Sequence, residues 1–100
     1  MAKQPAVYIL ASKRNGTLYI GVTSNLPQLM YQHREKIVDG FSKKYDTKML
    51  VYFELCEDMN SAIAREMVLK GITRVKKIAL IESVNPNWED LTIKLELLKP

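Results

Sequence analysis

The sequence has few of the residues that build metal centres and disulfides. It contains one cysteine, Cys56, and one histidine, His33, so an internal disulfide and a zinc finger or similar Cys/His site are both excluded. No apolar run reaches the about 20 residues that a membrane-spanning helix needs. The N-terminus also lacks the basic, apolar and small-residue regions of a secretory signal. We therefore expect a cytoplasmic protein without a membrane partner.

The composition is otherwise that of a folded protein. Apolar residues make up 47% of the chain and charged residues 26%, which argues against disorder. A length of 100 residues predicts one domain over residues 1–100.

The net charge of +4 is unevenly distributed. Residues 1–50 hold eight lysines and arginines against three acids, and residues 51–100 hold seven against eight, so the two halves carry +5 and −1. This asymmetry permits a polyanionic partner. It is equally compatible with a basic face that contacts only water.

The clearest local pattern is AVYILASKRNGTLYIGVT, residues 6–23. Two runs of β-forming residues flank Asn15-Gly16, the favoured central pair of a type I′ hairpin turn. A two-residue loop predicts that Tyr8 faces Thr23 and that Leu10 faces Gly21. A four-residue loop would leave the side chains on the same faces.

Because side chains alternate along a strand, each face of this hairpin has its own character. One face is wholly apolar and is predicted to be core: Val7, Ile9, Ala11, Leu18, Ile20 and Val22. The other face holds Tyr8, Ser12, Tyr19 and Thr23, with Gly21 leaving a gap between them.

The rest of the chain predicts a third strand and several helices. A first helix begins at LPQLMYQ, with Ser24 or Asn25 as its cap, and MLVYFEL (49–55) is a strand. Asn60 or Ser61 begins a second helix that ends near Lys70. Thr73 caps a third helix over about 74–83, and a terminal helix covers about 87–98. This order predicts an α+β fold, a small three-stranded antiparallel sheet flanked by helices.

Taken together, these residues resemble the GIY-YIG nuclease family, and in particular its small single-domain bacterial members of the UPF0213-like group. AVY (6–8) stands where the family has Gly-Ile-Tyr, and YIG (19–21) is intact. The helix with AIARE (62–66) and the segment IALIESVNP (78–86) also match, so the resemblance covers about residues 5–92 and implies the GIY-YIG fold.

The resemblance implies a chemistry as well. The family cleaves phosphodiester bonds with one divalent metal ion, which implies DNA as the partner and Mg²⁺ or Mn²⁺ as the cofactor of an active protein. Tyr8 would be the general base or would orient the attacking water, and Tyr19 would hydrogen-bond the reacting phosphate or assist that base. Glu66 would hold the metal ion, since Mg²⁺ suits one carboxylate with waters and phosphate oxygens.

Three further positions follow from the same resemblance. His33 would hydrogen-bond the water or Tyr8, Asn85 would support the site, and Gly21 would leave room for substrate. Each candidate also has an ordinary structural interpretation. The tyrosines can be packing residues, His33 a core histidine and Glu66 a surface helix residue. Asn85, before Pro86, can be a turn residue.

One position departs from the family pattern. The family carries a catalytic arginine four residues before the histidine, on the same helix face, and here that position is Leu29. An arginine that binds the scissile phosphate stabilises charge that develops in the transition state. Arginine fingers in other phosphoryl transfers contribute about 10³ to 10⁵ in rate. The resemblance therefore predicts a nuclease fold whose hydrolysis is impaired.

Apolar residues also stand at helix positions where similar family members commonly carry Lys or Gln, namely Met67 and Val68. An alternative function is therefore a non-catalytic, natural or engineered interaction module that forms a homodimer or binds another protein. In an ordinary fold, Met67 and Val68 would instead lie beneath the terminal helix, against Leu91, Leu95 and Leu98. The predicted apolar patch consists of Leu29, Met30, Met67, Val68, Ile72 and Val75.

Overall fold

The computed structural model describes residues 4–34 and 49–92, without the side chains of residues 32–34. Three antiparallel strands lie at its centre. The strands are β1 (Ala6–Ala11), β2 (Leu18–Thr23) and β3 (Met49–Leu55), in the order β2-β1-β3. Three helices flank them: α1 (Leu26–Arg34), α2 (Met59–Gly71) and α3 (Arg74–Val84). The predicted α+β architecture is confirmed.

The β1–β2 hairpin has a different register from the predicted one. Tyr8 pairs with Gly21, and Leu10 pairs with Tyr19. The predicted pairs Tyr8–Thr23 and Leu10–Gly21 are therefore wrong by two residues. Since an even shift leaves every side chain on its own face, the predicted division into an apolar face and a tyrosine face holds.

The longer loop of this hairpin explains the shift. The N–H of Ser12 bonds to the carbonyl of Thr17 at 3.1 Å, which leaves residues 13–16 as the loop. Within it, the N–H of Gly16 bonds to the carbonyl of Lys13 at 2.9 Å, and Asn15 has a φ of 58°. The turn is thus centred one residue earlier than a type I′ turn on Asn15-Gly16 would be. The Ser12 hydroxyl also accepts the N–H of Thr17 at 3.0 Å and favours the longer loop.

The apolar face of the sheet is covered by α2 and α3. Val7, Ile9 and Ala11 are fully buried there, as predicted. Leu69 from α2 and Ile81 from α3 complete this core. A register shift between Ile9 and Leu10 places one extra residue in β3, so its neighbours Val51 and Tyr52 both pack into this face.

The tyrosine face of the sheet is covered by α1. Tyr8 and Leu10 from β1 pack with Leu26 and Met30 from α1 and with Leu50 from β3. We call this set, together with Ala6, the α1-face cluster. The sheet is therefore buried on both sides, and the candidate tyrosines belong to a packed face.

The helix ends follow local capping chemistry. The Asn25 side chain accepts the N–H of Gln28 at 3.2 Å at the start of α1, and Thr73 accepts the N–H of Lys76 at 3.2 Å at the start of α3. Both caps agree with the predictions. The predicted caps Asn60 and Ser61 of α2 are wrong, because the helix begins earlier and Asp58 accepts the N–H of Ser61 at 2.7 Å.

The segment after α3 is irregular where a terminal helix was predicted to begin at about residue 87. Residues 88–90 are not helical, and Trp88 has a φ of 54°. The chain returns to the sheet through the N–H of Leu91, which bonds to the carbonyl of Leu50 at 2.8 Å. Most of the predicted helix, including Leu95 and Leu98, lies outside the described residues. Within residues 4–34 and 49–92, the helices are too short and too polar to cross a membrane.

Candidate active site

Two tyrosines on neighbouring strands form the centre of the site. Tyr8 lies in the central strand, and Tyr19 lies near the start of β2. Their ring centroids are 6.3 Å apart and the rings are tilted by 44°. Tyr8 is only 4% exposed, whereas Tyr19 is half-buried, so Tyr19 is the more accessible of the two.

Gly21 allows this arrangement. It pairs directly with Tyr8 across the two strands. A Cβ atom on Gly21 would lie 2.5 Å from the hydroxyl oxygen of Tyr8 and 3.2 Å from a ring carbon of Tyr19. The space above the glycine therefore holds the Tyr8 ring. The predicted role of Gly21 in leaving room for substrate stays a prediction.

The surroundings of Tyr8 hold it in the neutral form. Burial is the largest cause that raises the pKa of Tyr8. The charges of Tyr19 and Glu66 and the hydrogen bond with Tyr19 raise it further. The hydroxyl is therefore a proton donor at neutral pH. A cation placed near the hydroxyl would oppose these effects, because positive charge favours the phenolate.

Glu66 reaches the same region from α2. The buried residues Ala62 and Leu69 lie one turn before it and nearly one turn after it, so Glu66 shares the helix face that packs on β1 and β2. Its side chain is only 19% exposed, and its charge acts on Tyr8. Lys70, one turn further along, places its Nζ 3.1 Å from a carboxylate oxygen of Glu66. The structure thus places Tyr8 beside Tyr19 and brings the charge of Glu66 close enough to act on Tyr8, although α2 packs on the opposite face of the sheet.

The side chains that the structure describes fit one hydrated divalent ion. They do not fit a metal site that needs three or more protein ligands. Mg²⁺ is bound in many proteins by one or two carboxylates and keeps several waters, and Glu66 offers one such carboxylate. Among residues 4–34 and 49–92, three or more His, Cys, Asp or Glu side chains do not converge on a common point. A metal ion at Glu66 would take the place of the Lys70 ammonium.

Leu29, which stands where the family pattern has an arginine, lies on the same side of the sheet as the two tyrosines. Leu29 is half-buried and packs against the α1-face cluster, which contains Tyr8. Position 33 is in α1, but the side chain of His33 lies outside the described residues, so its predicted role stays a prediction. An apolar side chain therefore stands where the family pattern has a guanidinium.

Asn85 ends α3 and is buried, with 3% exposure. Its amide nitrogen donates to the carbonyls of Val51 at 3.0 Å and Glu89 at 2.9 Å. Its amide oxygen accepts the N–H of Glu89 at 3.0 Å. One amide hydrogen thus ties the end of α3 to β3, and the other ties it to the segment that follows the helix, which suits a supporting residue. A direct catalytic role of Asn85 stays a prediction.

The predicted apolar patch is only partly on the surface. Met30 is 2% exposed and belongs to the α1-face cluster, so its place in the patch is wrong. Leu29 and Ile72 are half-buried and pack against the two cores. The exposed members are Met67 at 69%, Val68 at 52% and Val75 at 76%.

One charged cluster was missed by the sequence interpretation. Arg65 donates to Glu54 through Nε and Nη2, each at 3.0 Å, and the Tyr52 hydroxyl donates to the same carboxylate. Burial alone would raise the pKa of Glu54, but the hydrogen bonds from Arg65 and Tyr52 outweigh it and lower that pKa. This cluster fixes α2 against β3 one residue before Glu66. No local pattern reveals it, since Glu54 and Arg65 lie on different elements.

Comparisons with known proteins identify the family of the chain. The model of the GIY-YIG catalytic domain matches residues 4–79. A UPF0213 protein of Clostridium perfringens is 33% identical over 91 residues, which cover 91% of this chain and 97% of that protein. A UPF0213 protein of Desulfotalea psychrophila is 31% identical over 77% of this chain and 70% of its own length.

A solved structure shares the fold. The solution NMR structure of a UPF0213 protein from Bacillus halodurans has a TM-score of 0.55 with this chain at 22% identity, covering 89% of this chain and 94% of that one. The catalytic-domain match spans both tyrosines, Leu29 and Glu66. Together with relatives above 30% identity over most of the chain, it shows that this protein is a small member of the GIY-YIG family, similar to the UPF0213 proteins.

Proposed function

We propose that this protein is a metal-dependent phosphodiesterase of the nuclease type that acts on DNA, with hydrolysis impaired at Leu29. The observation that supports this function is the convergence of Tyr8, Tyr19 and Glu66 from three elements. Burial raises the pKa of Tyr8, and the nearby charges of Tyr19 and Glu66 raise it further. A titratable residue with a perturbed pKa, grouped with other titratable side chains, is typical of active sites.

In this proposal each residue has a role at the phosphate. Glu66 holds Mg²⁺ or Mn²⁺, which when bound supplies positive charge to the phosphate oxygens. The Tyr8 hydroxyl, which its surroundings hold neutral, orients the attacking water, and a role as general base would first need its deprotonation. Tyr19, which is more exposed, hydrogen-bonds the phosphate. His33 contacts the water or Tyr8, and Asn85 keeps the end of α3 in place.

Leu29 limits the reaction. A leucine cannot stabilise negative charge on the phosphate in the transition state. The missing guanidinium corresponds to about 10³ to 10⁵ in rate, or about 4 to 7 kcal/mol of transition-state stabilisation. The protein therefore keeps the geometry of the site and loses most of its rate.

The decisive experiment restores the arginine. Leu29→Arg is expected to increase Mg²⁺-dependent cleavage of branched or single-stranded DNA by about 10³ or more, and adding Glu66→Ala is expected to abolish that cleavage. Gln28→Arg is the matched control, because it adds the same charge at an exposed position of the same helix. Folded Leu29→Arg protein without cleavage, or cleavage that survives Glu66→Ala, would overturn the proposal.

A second candidate function is association through the outer side of α2. Ile63, Met67 and Val68 are 42%, 69% and 52% exposed. They lie within two turns of one helix, so they can form the apolar centre of an interface. A homodimer or another protein partner would cover them.

A further inference from the structure

The tip of the β1–β2 hairpin is tied to the start of α3. The Nη2 atom of Arg74 donates to the carbonyls of Asn15 at 2.7 Å and Gly16 at 2.6 Å. These hydrogen bonds join loop residues to a helix 58 and 59 positions later in the chain. The contact therefore holds two basic segments side by side.

Both segments are rich in cations. Residues 12–17, SKRNGT, contain Lys13 and Arg14, and residues 70–77, KGITRVKK, contain four cations and no acid. The hairpin–α3 basic surface, as we call it, consists of Lys13, Arg14, Arg74, Lys76 and Lys77.

Little negative charge opposes this surface. Among the residues that the structure describes, its acidic neighbour is Glu82, 4.0 Å from Arg14. Glu82 also accepts the indole N–H of Trp88 at 2.7 Å. The carbonyls that hold Arg74 are neutral, so within the part of the chain that the structure describes no acid neutralises its charge. Lys13 and Lys76 are exposed.

This surface adjoins the candidate site at two points. Lys70, which contacts Glu66, lies on α2 only four residues before Arg74. Tyr19 is the second residue of β2, and at about 3.3 Å per residue it lies about 7 Å along the chain from Thr17, which directly follows the hairpin loop. Positive charge therefore begins at the site and extends to the hairpin tip.

We propose that the hairpin–α3 basic surface binds the phosphate backbone of a nucleic acid strand and holds it beside the Tyr8–Glu66 site. This inference rests on the proposed function for the identity of the polyanion. A second copy of the chain is a poorer occupant. In a two-fold symmetric contact the same patch meets itself, and like charges that face each other across an interface oppose association.

The test measures binding without hydrolysis. The probe is fluorescently labelled single-stranded or branched DNA with EDTA present, and binding is followed by anisotropy at several salt concentrations. The variant is Lys13→Gln/Lys76→Gln/Lys77→Gln, which keeps Arg74 and therefore the hairpin contact. Each lost phosphate contact lowers the slope of log K against log salt by about 0.7 for single strands and 0.9 for duplexes. The triple variant is therefore expected to lower the slope by about 2 to 3 and to bind at least about tenfold more weakly at low salt.

The matched control is Lys3→Gln/Lys94→Gln/Lys99→Gln, which removes the same charge elsewhere in the sequence. It is expected to bind nearly as the unchanged protein does. The proposed basic surface would be wrong if both triple variants lost equal binding affinity, or if the Lys13 triple variant kept the wild-type slope of log K against log salt. Either result would count against it even if Leu29→Arg protein cleaves DNA. A specific loss of binding without any cleavage by Leu29→Arg would support the surface and overturn the proposed hydrolysis.

Discussion

Single residues decide how closely the two site tyrosines pack. Gly21 lacks a side chain, and the Tyr8 ring uses the space across the strand pair. Burial, rather than one specific partner, is the main reason why the pKa of Tyr8 is raised. The tyrosine face thus combines a steric requirement at Gly21 with an electrostatic one at Tyr8, and each requirement gives a testable prediction.

Gly21→Ala is expected to lower the free energy of unfolding. The new methyl group would lie 2.5 Å from the Tyr8 hydroxyl oxygen, and overpacking of this kind costs about 1 to 3 kcal/mol. Urea denaturation measures the change. Gly71→Ala is the control, since a Cβ there comes within 4 Å of no described atom outside its own helix turn. Equal stability of Gly21→Ala and wild type would contradict the described packing.

Tyr8 is expected to make the protein less stable at alkaline pH. Its folded pKa is raised above the ordinary value of 10.0, so the unfolded chain loses this proton first. The stabilising contribution of Tyr8 is complete below pH 10 and is lost as the pH rises toward the folded pKa. Urea denaturation between pH 9 and 11.5 is expected to show a smaller decline for Tyr8→Phe than for wild type. Tyr31→Phe, at a residue that is 49% exposed, is the control. A decline in stability with pH that is the same in Tyr8→Phe and wild type would refute the effect.

At the scale of elements, two kinds of contact hold α2 against the sheet, one charged and one apolar. Arg65 binds Glu54 on β3, and the buried side chains Ala62 and Leu69 face the sheet. The side chain of Glu66 is next to Arg65 in sequence but acts on Tyr8. A small rotation of α2 would therefore move the candidate metal ligand, which makes the Arg65–Glu54 pair a positioning contact for the site.

Glu54→Gln is expected to destabilise the protein at neutral pH. The pKa of Glu54 is lowered from 4.5 in the folded protein, because hydrogen bonds from Arg65 and Tyr52 overcome the effect of burial. The contribution is present above the unfolded pKa and is lost as the pH falls through the folded pKa. The stability difference between wild type and Glu54→Gln should shrink between pH 5 and pH 3 in urea denaturation. Glu57→Gln, at an exposed position, is the control; a difference that does not change with pH would exclude this linkage.

At the scale of the whole molecule, exposed apolar and basic residues occupy adjoining parts of α2 and α3. Met67 and Val68 are on α2, whereas Val75 stands between Arg74 and Lys76. The two surfaces suit different partners, an apolar one for α2 and a polyanion for α3. Association and nucleic-acid binding can therefore be separated by mutation.

Self-association through α2 predicts a change of mass with concentration. Sedimentation velocity over a dilution series is expected to show dimers that Met67→Lys/Val68→Gln converts to monomers. Val84→Lys adds a charge at another exposed apolar residue, which is 65% exposed, and serves as the control. A monomer at the highest concentration would exclude a homodimer.

The sequence predicted what depends on local periodicity and missed what depends on distant contacts. Alternation along β1 and β2 was enough to assign Tyr8 and Tyr19 to one face, and Thr73 was recognisable as a cap. The hairpin register was wrong because Asn15-Gly16 fits more than one loop length, and Arg74 stabilises the loop from a helix 58 positions away. The Arg65–Glu54 pair also depends on tertiary packing.

The strand order β2-β1-β3 has a consequence for synthesis and folding. The central strand β1 ends at Ala11, but its second neighbour begins only at Met49. The β1–β2 hairpin is local and can form within about 1 to 10 μs, long before β3 leaves the ribosome. During that interval one edge of β1, AVYILA, offers unpaired backbone groups on an apolar strand. Nascent chains of this protein are therefore most prone to aggregate before residue 55 emerges.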